Sequence, residues 1–173
     1  MTKDVFVTVK GLKTIDEGKP KEVEMVSRGD YYYKNGHHYI FFDEVVEGFT
    51  ESTRNSIKVS DNSVEVKKKG LTNVQMIFEE NKKNLTYYAT PFGNLQMGIA
   101  ATKIDVKEQE KSLDMSIDYA LEINAEQAAD CRICVNVRQK DAGEFSLWKR
   151  AFGYLVYHLK VHEIVRSLQG DIF

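Results

Sequence analysis

Alternating apolar and polar residues dominate the first 140 positions of the chain, and the segment from Ser112 to Asn124 shows the pattern best. Every second residue from Leu113 to Ile123 is apolar, and most of the residues between them are Asp, Ser or Glu. A strand points successive side chains to opposite faces of a sheet, whereas a helix would spread the same residues around its circumference. The alternation therefore predicts a strand with one face in the core and the other in solvent.

Further segments with the same alternation are separated by residues that favour tight turns. Asn35-Gly36 is the strongest hairpin signal, because both residues tolerate the positive φ of a type I′ turn, and Asp61-Asn62 lies between two strand patterns in the same way. About ten such strands follow one another with short connections, so neighbouring strands should be antiparallel. We therefore predict a mainly β fold, an up-and-down antiparallel barrel of about 8–10 strands that is closed or nearly closed.

The aromatic segment YYYKNGHHY, residues 31–39, raises the alternatives of a metal site, a stacking platform and a hairpin. Adjacent side chains of a strand point to opposite faces, so His37 and His38 are not placed to bind one metal ion together. Aromatic residues also pack well on their cross-strand neighbours. We interpret the segment as a hairpin.

A more distinctive segment is YYATPFGNLQMGIAATKIDV, residues 87–106, which is followed by LDMSIDYALEIN. In this order the chain resembles the YwiB-like family of small bacterial proteins, on the motifs Tyr88-Ala89-Thr90-Pro91-Phe92-Gly93 and Tyr119-Ala120-Leu121. The resemblance spans about residues 3–139 and implies a calycin-like barrel, the group of folds that includes the lipocalins. Since the family has no established reaction, the resemblance implies no catalytic residues.

The last 33 residues have a different pattern, so we predict a barrel domain over residues 1–140 and a C-terminal helical extension over 141–173. Asp141 and Glu144 have the spacing of a capping box, and Gly170 stands where a helix C-cap is expected. An apolar stripe at helical spacing follows, formed by Trp148, Phe152, Leu155 and Leu159. Three interpretations stay open: packing on the barrel or on a second copy as a homodimer, an interfacial membrane helix, or a segment foreign to the family domain.

Composition and charge narrow the classes of function. The formal net charge of −2 gives no electrostatic case for a nucleic-acid partner, and no apolar run is long enough to span a membrane. The charged start, Met1-Thr2-Lys3-Asp4, lacks the apolar run of a signal peptide, and the two cysteines suit a reducing compartment. We therefore expect a cytoplasmic protein.

Candidate chemical residues are few. Cys131 and Cys134 match C-x-x-C, but on a strand they face opposite sides, and His158 and His162 have no evident third metal ligand. The run Lys67-Lys68-Lys69 is interpreted as a solvated strand end. The chain has no phosphate-binding loop and no nucleophile elbow, so we predict no catalytic residue, cofactor or metal, and we favour a non-enzymatic role.

The inside of the predicted barrel is the remaining candidate site, either as a ligand cavity or as a filled core. Arg28 and Arg54 are candidates for a charge at its rim that would bind a carboxylate. Alternation predicts an inward set of eleven residues: Val66, Met76, Phe78, Tyr87, Met97, Ile99, Met115, Ile117, Tyr119, Ile133 and Val135.

Two functions follow from these alternatives. A cavity would make the chain a cytoplasmic binding protein for a small apolar or amphipathic ligand. A filled barrel would make it an interaction or structural protein that associates through the C-terminal helix or the barrel rim.

Overall fold

The structure is a computed structural model that describes residues 1–14, 21–45, 52–70, 73–90 and 93–140. Every regular element within these residues is a β-strand. The strands are β1 (Asp4–Thr14), β2 (Lys21–Lys34), β3 (His37–Val45), β4 (Ser52–Ser60), β5 (Ser63–Lys69), β6 (Val74–Glu79), β7 (Lys82–Thr90), β8 (Gly93–Glu108), β9 (Ser112–Ile123) and β10 (Glu126–Gln139).

All ten strands form one antiparallel sheet in the order β6-β5-β4-β3-β2-β1-β10-β9-β8-β7. The first strand pairs with the last, from Val5 opposite Gln139 to Thr14 opposite Asp130. The two edges of the sheet are therefore β6 and β7, which are consecutive in the chain. The prediction of a mainly β, antiparallel, nearly closed barrel is confirmed, with its one interrupted seam between β6 and β7. The predicted helix over 141–173 lies outside the described residues.

The turns confirm the hairpin signals of the sequence. Asn35 and Gly36 have φ values of 53° and 76°, the left-handed conformation that a type I′ turn requires at both positions. β2 and β3 continue from this turn with Tyr33 opposite His38. The segment 31–39 is thus a hairpin, as predicted.

An up-and-down order places the turns alternately at the two ends of the barrel. We call the end with the β2–β3, β4–β5, β6–β7 and β8–β9 turns the Tyr31 end, and the opposite end the Lys68 end, after inward-facing residues near each.

The core consists of inward side chains and is densest towards the Tyr31 end. β9 shows the expected alternation, with Leu113, Met115 and Ile117 at most 4% exposed. Burying an aliphatic or aromatic side chain of this size contributes about 1.5–3 kcal/mol. The largest fully buried side chains include Phe78, Ile40, Ile99, Leu113 and Ile117.

Candidate functional site

Ten of the eleven side chains predicted to face the interior belong to the core cluster or pack against it. Six of them are buried, namely Phe78, Met97, Ile99, Met115, Ile117 and Val135. The other four are only partly buried, namely Val66, Met76, Tyr119 and Ile133. These inward residues therefore form a filled core in one part of the barrel and a partly exposed apolar lining in the rest.

Tyr87 is the exception, and its prediction is wrong. Its side chain is 67% exposed, and Leu85 on the same face is 62% exposed, whereas Tyr88 is buried. The apolar row of β7 thus faces outward. Asn84 and Thr86 share the inward face with Tyr88, so polar residues occupy this part of the inner wall.

The predicted rim arginines are also on the outer face. Arg54 binds the Asp43 carboxylate at 2.9 Å and lies over the Phe41 ring, and about half of its side chain is exposed. Arg28 is exposed on the outer face of β2, opposite Phe6. Neither arginine is placed to present a charge to a ligand inside the barrel.

The interrupted seam between β6 and β7 contains a cavity of about 260 Å³. Two contacts between the described residues bridge the seam. Asn73 pairs with Ala89 at one end, and the Asn84 side-chain amide bonds to β6 at the other. Asn84 Nδ2 donates to the Ile77 carbonyl at 3.1 Å and to Glu79 Oε2 at 3.0 Å, which replaces part of the missing strand ladder. The cavity is lined by Gln75, Ile77, Asn84, Leu85, Thr86 and Ile99. Since Ile99 is 1% exposed, the opening reaches the core.

Partly exposed inward side chains gather towards the Lys68 end. Val66 lies opposite Met76, and Ile133 lies two residues from Cys131 on β10. Met25, Leu95 and Ile123 also pack against the core while remaining partly exposed. These residues give this half of the interior an apolar lining that solvent reaches.

The two walls of the barrel meet where Phe78 and Tyr119 touch. Their ring centroids are 5.1 Å apart with an interplanar angle of 69°, a favourable edge-to-face arrangement. Burial, together with the neighbouring Cys131 thiol, raises the pKa of Tyr119 far above its ordinary value.

A buried polar group, which we call the Lys68 cluster, consists of Glu44, Thr53, Asn55 and Lys68. Lys68 Nζ lies 2.8 Å from Glu44 Oε2, and the two side chains are only 14% and 7% exposed. Asn55 Nδ2 donates to Glu44 Oε2 at 3.4 Å and to the Thr53 carbonyl at 3.1 Å. The interpretation of Lys67-Lys68-Lys69 as a solvated strand end is therefore wrong for Lys68.

Sequence reasoning missed this cluster, although the alternation contains a signal for it. Lys68 shares its face of β5 with Val64 and Val66, and Glu44 shares its face of β3 with Ile40 and Phe42. A charge that interrupts an inward apolar row marks a buried polar position.

A second inward polar group lies at the Tyr31 end. Tyr31 Oη and His38 Nδ1 are 2.8 Å apart, and His38 Nε2 lies 3.9 Å from the exposed Glu108 carboxylate. Burial, followed by the charges of Glu108 and Tyr33, raises the pKa of Tyr31. The group joins β2, β3 and β8 at the Tyr31 end of the barrel.

The outer wall carries a groove of about 320 Å³ across β1, β8, β9 and β10. The small side chains of Thr8, Ser116 and Cys134 line it. Cys131 packs against the core on the other face, so the two cysteines face opposite sides as predicted from their spacing. His158 and His162 lie outside the described residues.

Two kinds of feature are absent from the described residues. No group of three or more His, Cys, Asp or Glu side chains is arranged to hold a metal ion there. No helix long and apolar enough to cross a membrane occurs in that part of the chain.

Comparisons with known proteins address the fold and the family. Residues 7–135 match the family model described as "Domain of unknown function (DUF1934)". The crystal structure of the YwiB protein from Bacillus subtilis is similar, with a TM-score of 0.69 and 19% sequence identity over 80% of this chain and 93% of that chain. At this identity the likeness shows a shared fold. No curated protein matches the sequence.

Proposed function

The chain belongs to the DUF1934 family, as its resemblance to the YwiB-like proteins predicts, and we propose that it is a binding protein for a small apolar or amphipathic molecule. The ligand enters between β6 and β7 and contacts the inner wall. Both cysteines are thiols, which is consistent with a reducing cytoplasm as the site of this role.

The observation that carries the proposal is the cavity in the β6–β7 seam. It has a volume of about 260 Å³ and opens between the two strands. Ile77, Leu85 and Ile99 provide apolar contacts, and Gln75 and Asn84 provide polar groups at its edge. Ligand sites typically combine an apolar lining with a few placed polar groups.

The inner wall beside the seam extends the site. Met76 lies between Gln75 and Ile77 in the chain and points inward, opposite Val66. Both side chains are partly exposed, so a ligand in the seam continues onto an apolar surface. Methionine adapts its shape to irregular ligands because its side chain is unbranched and polarisable.

Native mass spectrometry of freshly purified protein tests this proposal. We expect a small molecule that is released on denaturation, and we expect the Thr86→Trp variant to lose it because the indole fills the cavity. Tyr87→Trp is the matched control, since Tyr87 is the next residue and faces solvent. Wild-type protein that carries no adduct and shows no shift in Tm with 1-decanol contradicts the proposal.

Association between two copies is a second candidate, favoured by the outer face of β7. Leu85 and Tyr87 are exposed side by side on an edge strand, and exposed apolar edges favour pairing with another chain. The occupant we propose is a second copy, joined through this edge or through residues 141–173. Sedimentation of Tyr87→Lys and of protein truncated after Lys140 identifies the segment involved, and a monomeric wild-type protein excludes this candidate.

A further inference from the structure

The Lys68 cluster occupies inward positions on three neighbouring strands. Glu44 on β3 lies opposite Thr53 on β4, and Asn55 on β4 lies opposite Lys68 on β5. The Glu44–Lys68 ion pair therefore spans β4 on the inner face of the wall. All four side chains lie near the Lys68 end, beside partly exposed apolar residues such as Val66.

Stability alone does not account for this ion pair. Removing two charges from water costs several kcal/mol for each ion, and replacing a buried pair by apolar residues is often neutral or stabilising. The pair also interrupts rows that are otherwise apolar, since Phe42 on the strand of Glu44 is 3% exposed and Val64 on the strand of Lys68 is 1% exposed. A binding role gives a physical reason for keeping it.

The cluster lies directly beside the apolar lining. The next inward pair of these two strands towards the Tyr31 end is Ile57 and Val66, each two residues from Asn55 or Lys68. That spacing is about 7 Å along a strand. Val66 in turn lies opposite Met76, whose chain neighbours Gln75 and Ile77 line the seam cavity. A polar group and partly exposed apolar side chains are thus neighbours on the inner wall, which fits an amphipathic ligand.

The cluster offers both donors and acceptors to a ligand. Lys68 Nζ has three N–H donors, and among the described residues it contacts the Glu44 carboxylate. The Glu44 carboxylate has about four lone-pair sites and accepts from Lys68 and Asn55. The two charges of the pair already compensate each other. An anionic head would therefore be repelled by Glu44, and a cationic head would be repelled by Lys68. An uncharged head with a donor and an acceptor suits both partners.

We propose that the Lys68 cluster binds the uncharged polar head of an amphipathic ligand, such as a primary carboxamide, whose apolar tail lies along Val66 and Met76 towards the seam. Lys68 donates to the carbonyl oxygen of the head, and Glu44 accepts from its N–H group. This inference rests on the proposed binding function and specifies the class of ligand.

Calorimetric titration with three compounds of matched chain length tests the inference. Decanamide carries the proposed head, undecan-2-one replaces its amino group by methyl, and decanoate replaces it by an anionic oxygen. We expect the wild-type protein to bind decanamide at least about tenfold more tightly than the other two, because a site built for hydrogen bonds rejects analogues that leave its groups unpaired.

Two double variants locate the effect. Glu44→Leu/Lys68→Met removes the buried pair and should abolish the preference for decanamide over undecan-2-one. Asp43→Leu/Arg54→Met removes an ion pair from the outer face of the same wall and should retain the preference. If the first variant does not fold, the ranking of the compounds by the wild-type protein decides the matter.

The outcomes separate this inference from the proposed function. Equal affinity for decanamide and undecan-2-one, tighter binding of decanoate, or an undiminished preference in Glu44→Leu/Lys68→Met overturns the head-group site while leaving a binding protein. Failure of all three compounds to bind overturns both.

Discussion

Asp43 and Glu44 are neighbours in the chain, and each binds a cation at almost the same distance on opposite faces of the barrel wall. Arg54 Nη1 lies 2.9 Å from Asp43 Oδ2 on the outer face, and both side chains are about half exposed. Lys68 Nζ lies 2.8 Å from Glu44 Oε2 on the inner face, where the exposures are 14% and 7%. The distances do not distinguish the two pairs, whereas their exposure to water does.

The difference shows how far burial changes the meaning of an ion pair. Water screens the outer pair, and such pairs typically contribute about 0–1 kcal/mol. The inner pair has lost most of its hydration, so each charge depends on the other. The outer pair can therefore be removed at little cost, whereas the inner pair constrains stability.

The largest expected effect follows from breaking the inner pair on one side. Glu44→Gln leaves the Lys68 ammonium buried without a countercharge, so we expect the free energy of unfolding to fall by about 3–5 kcal/mol. Chemical denaturation of the variant and the wild type measures the change.

Glu44→Gln/Lys68→Met is its control, because it removes both charges and should recover most of the loss. If the single variant is as stable as the wild type, the inner pair is hydrated and the contrast between the two faces fails.

A smaller effect is expected for Asn55→Ala. Asn55 is 1% exposed and donates to both Glu44 and the Thr53 carbonyl. Its loss removes two buried hydrogen bonds, one of them to a charged group, which costs about 1–3 kcal/mol. Denaturation curves for Asn55→Ala and for Ser56→Ala, the next and outward-facing residue, provide the comparison. Equal stability of these two variants would show that the Asn55 amide is not needed.

The same contrast between faces predicts a response to alkaline pH. Tyr119 faces inward, and its folded-state pKa is raised by burial and by Cys131. Stability from this group is present below the unfolded tyrosine pKa of about 10 and is lost as the pH rises above it, by up to about 1.4 kcal/mol per pH unit. Unfolding measured across this range should show a shallower decline for Tyr119→Phe, and an unchanged slope would contradict the assignment.

The outward neighbour Asp118 titrates in the opposite sense. Its pKa is lowered, chiefly by the hydrogen bond from Arg132. The stability it contributes is present at neutral pH and is lost as the pH falls through its folded-state pKa. Asp118→Asn should therefore alter the acid side of the stability profile and leave the alkaline side unchanged.

The smallest effect is expected for the outer pair. Arg54→Met removes the contact with Asp43 and the cation–π contact with Phe41, and should cost at most about 1 kcal/mol. In about 1 M NaCl the Debye length falls to about 3 Å, so part of this difference should disappear. A loss as large as that of Glu44→Gln would remove the distinction between the faces.

The alternation of apolar and polar residues was sufficient to predict most of the barrel. It is a local pattern, because successive residues of a strand point to opposite faces of the sheet. Ser112–Ile123 and the Asn35-Gly36 turn are confirmed on this basis. β7 shows the limit of the method. Period-2 alternation separates two faces but does not say which is inward. At the seam the polar face of β7 points in, since Asn84 bonds to β6 in place of a strand ladder.

The Lys68 cluster could not be predicted from local pattern for a related reason. Lys68 stands between Lys67 and Lys69, which are both exposed, so its burial depends on the inward direction of β5. Its partner Glu44 is 24 residues away and on a strand that is not adjacent. Only the curvature of the sheet brings the two side chains together.

The pairing of β1 with β10 has a consequence for biosynthesis. Strand β1 acquires its second neighbour, β10, only after synthesis has reached Gln139, which pairs with Val5. Synthesis at about 5–20 residues per second leaves that edge uncovered for roughly 7 to 27 s. During this time, nascent chains on one polysome expose identical unpaired strand edges to one another. Synthesis and pairing of β10 end that exposure.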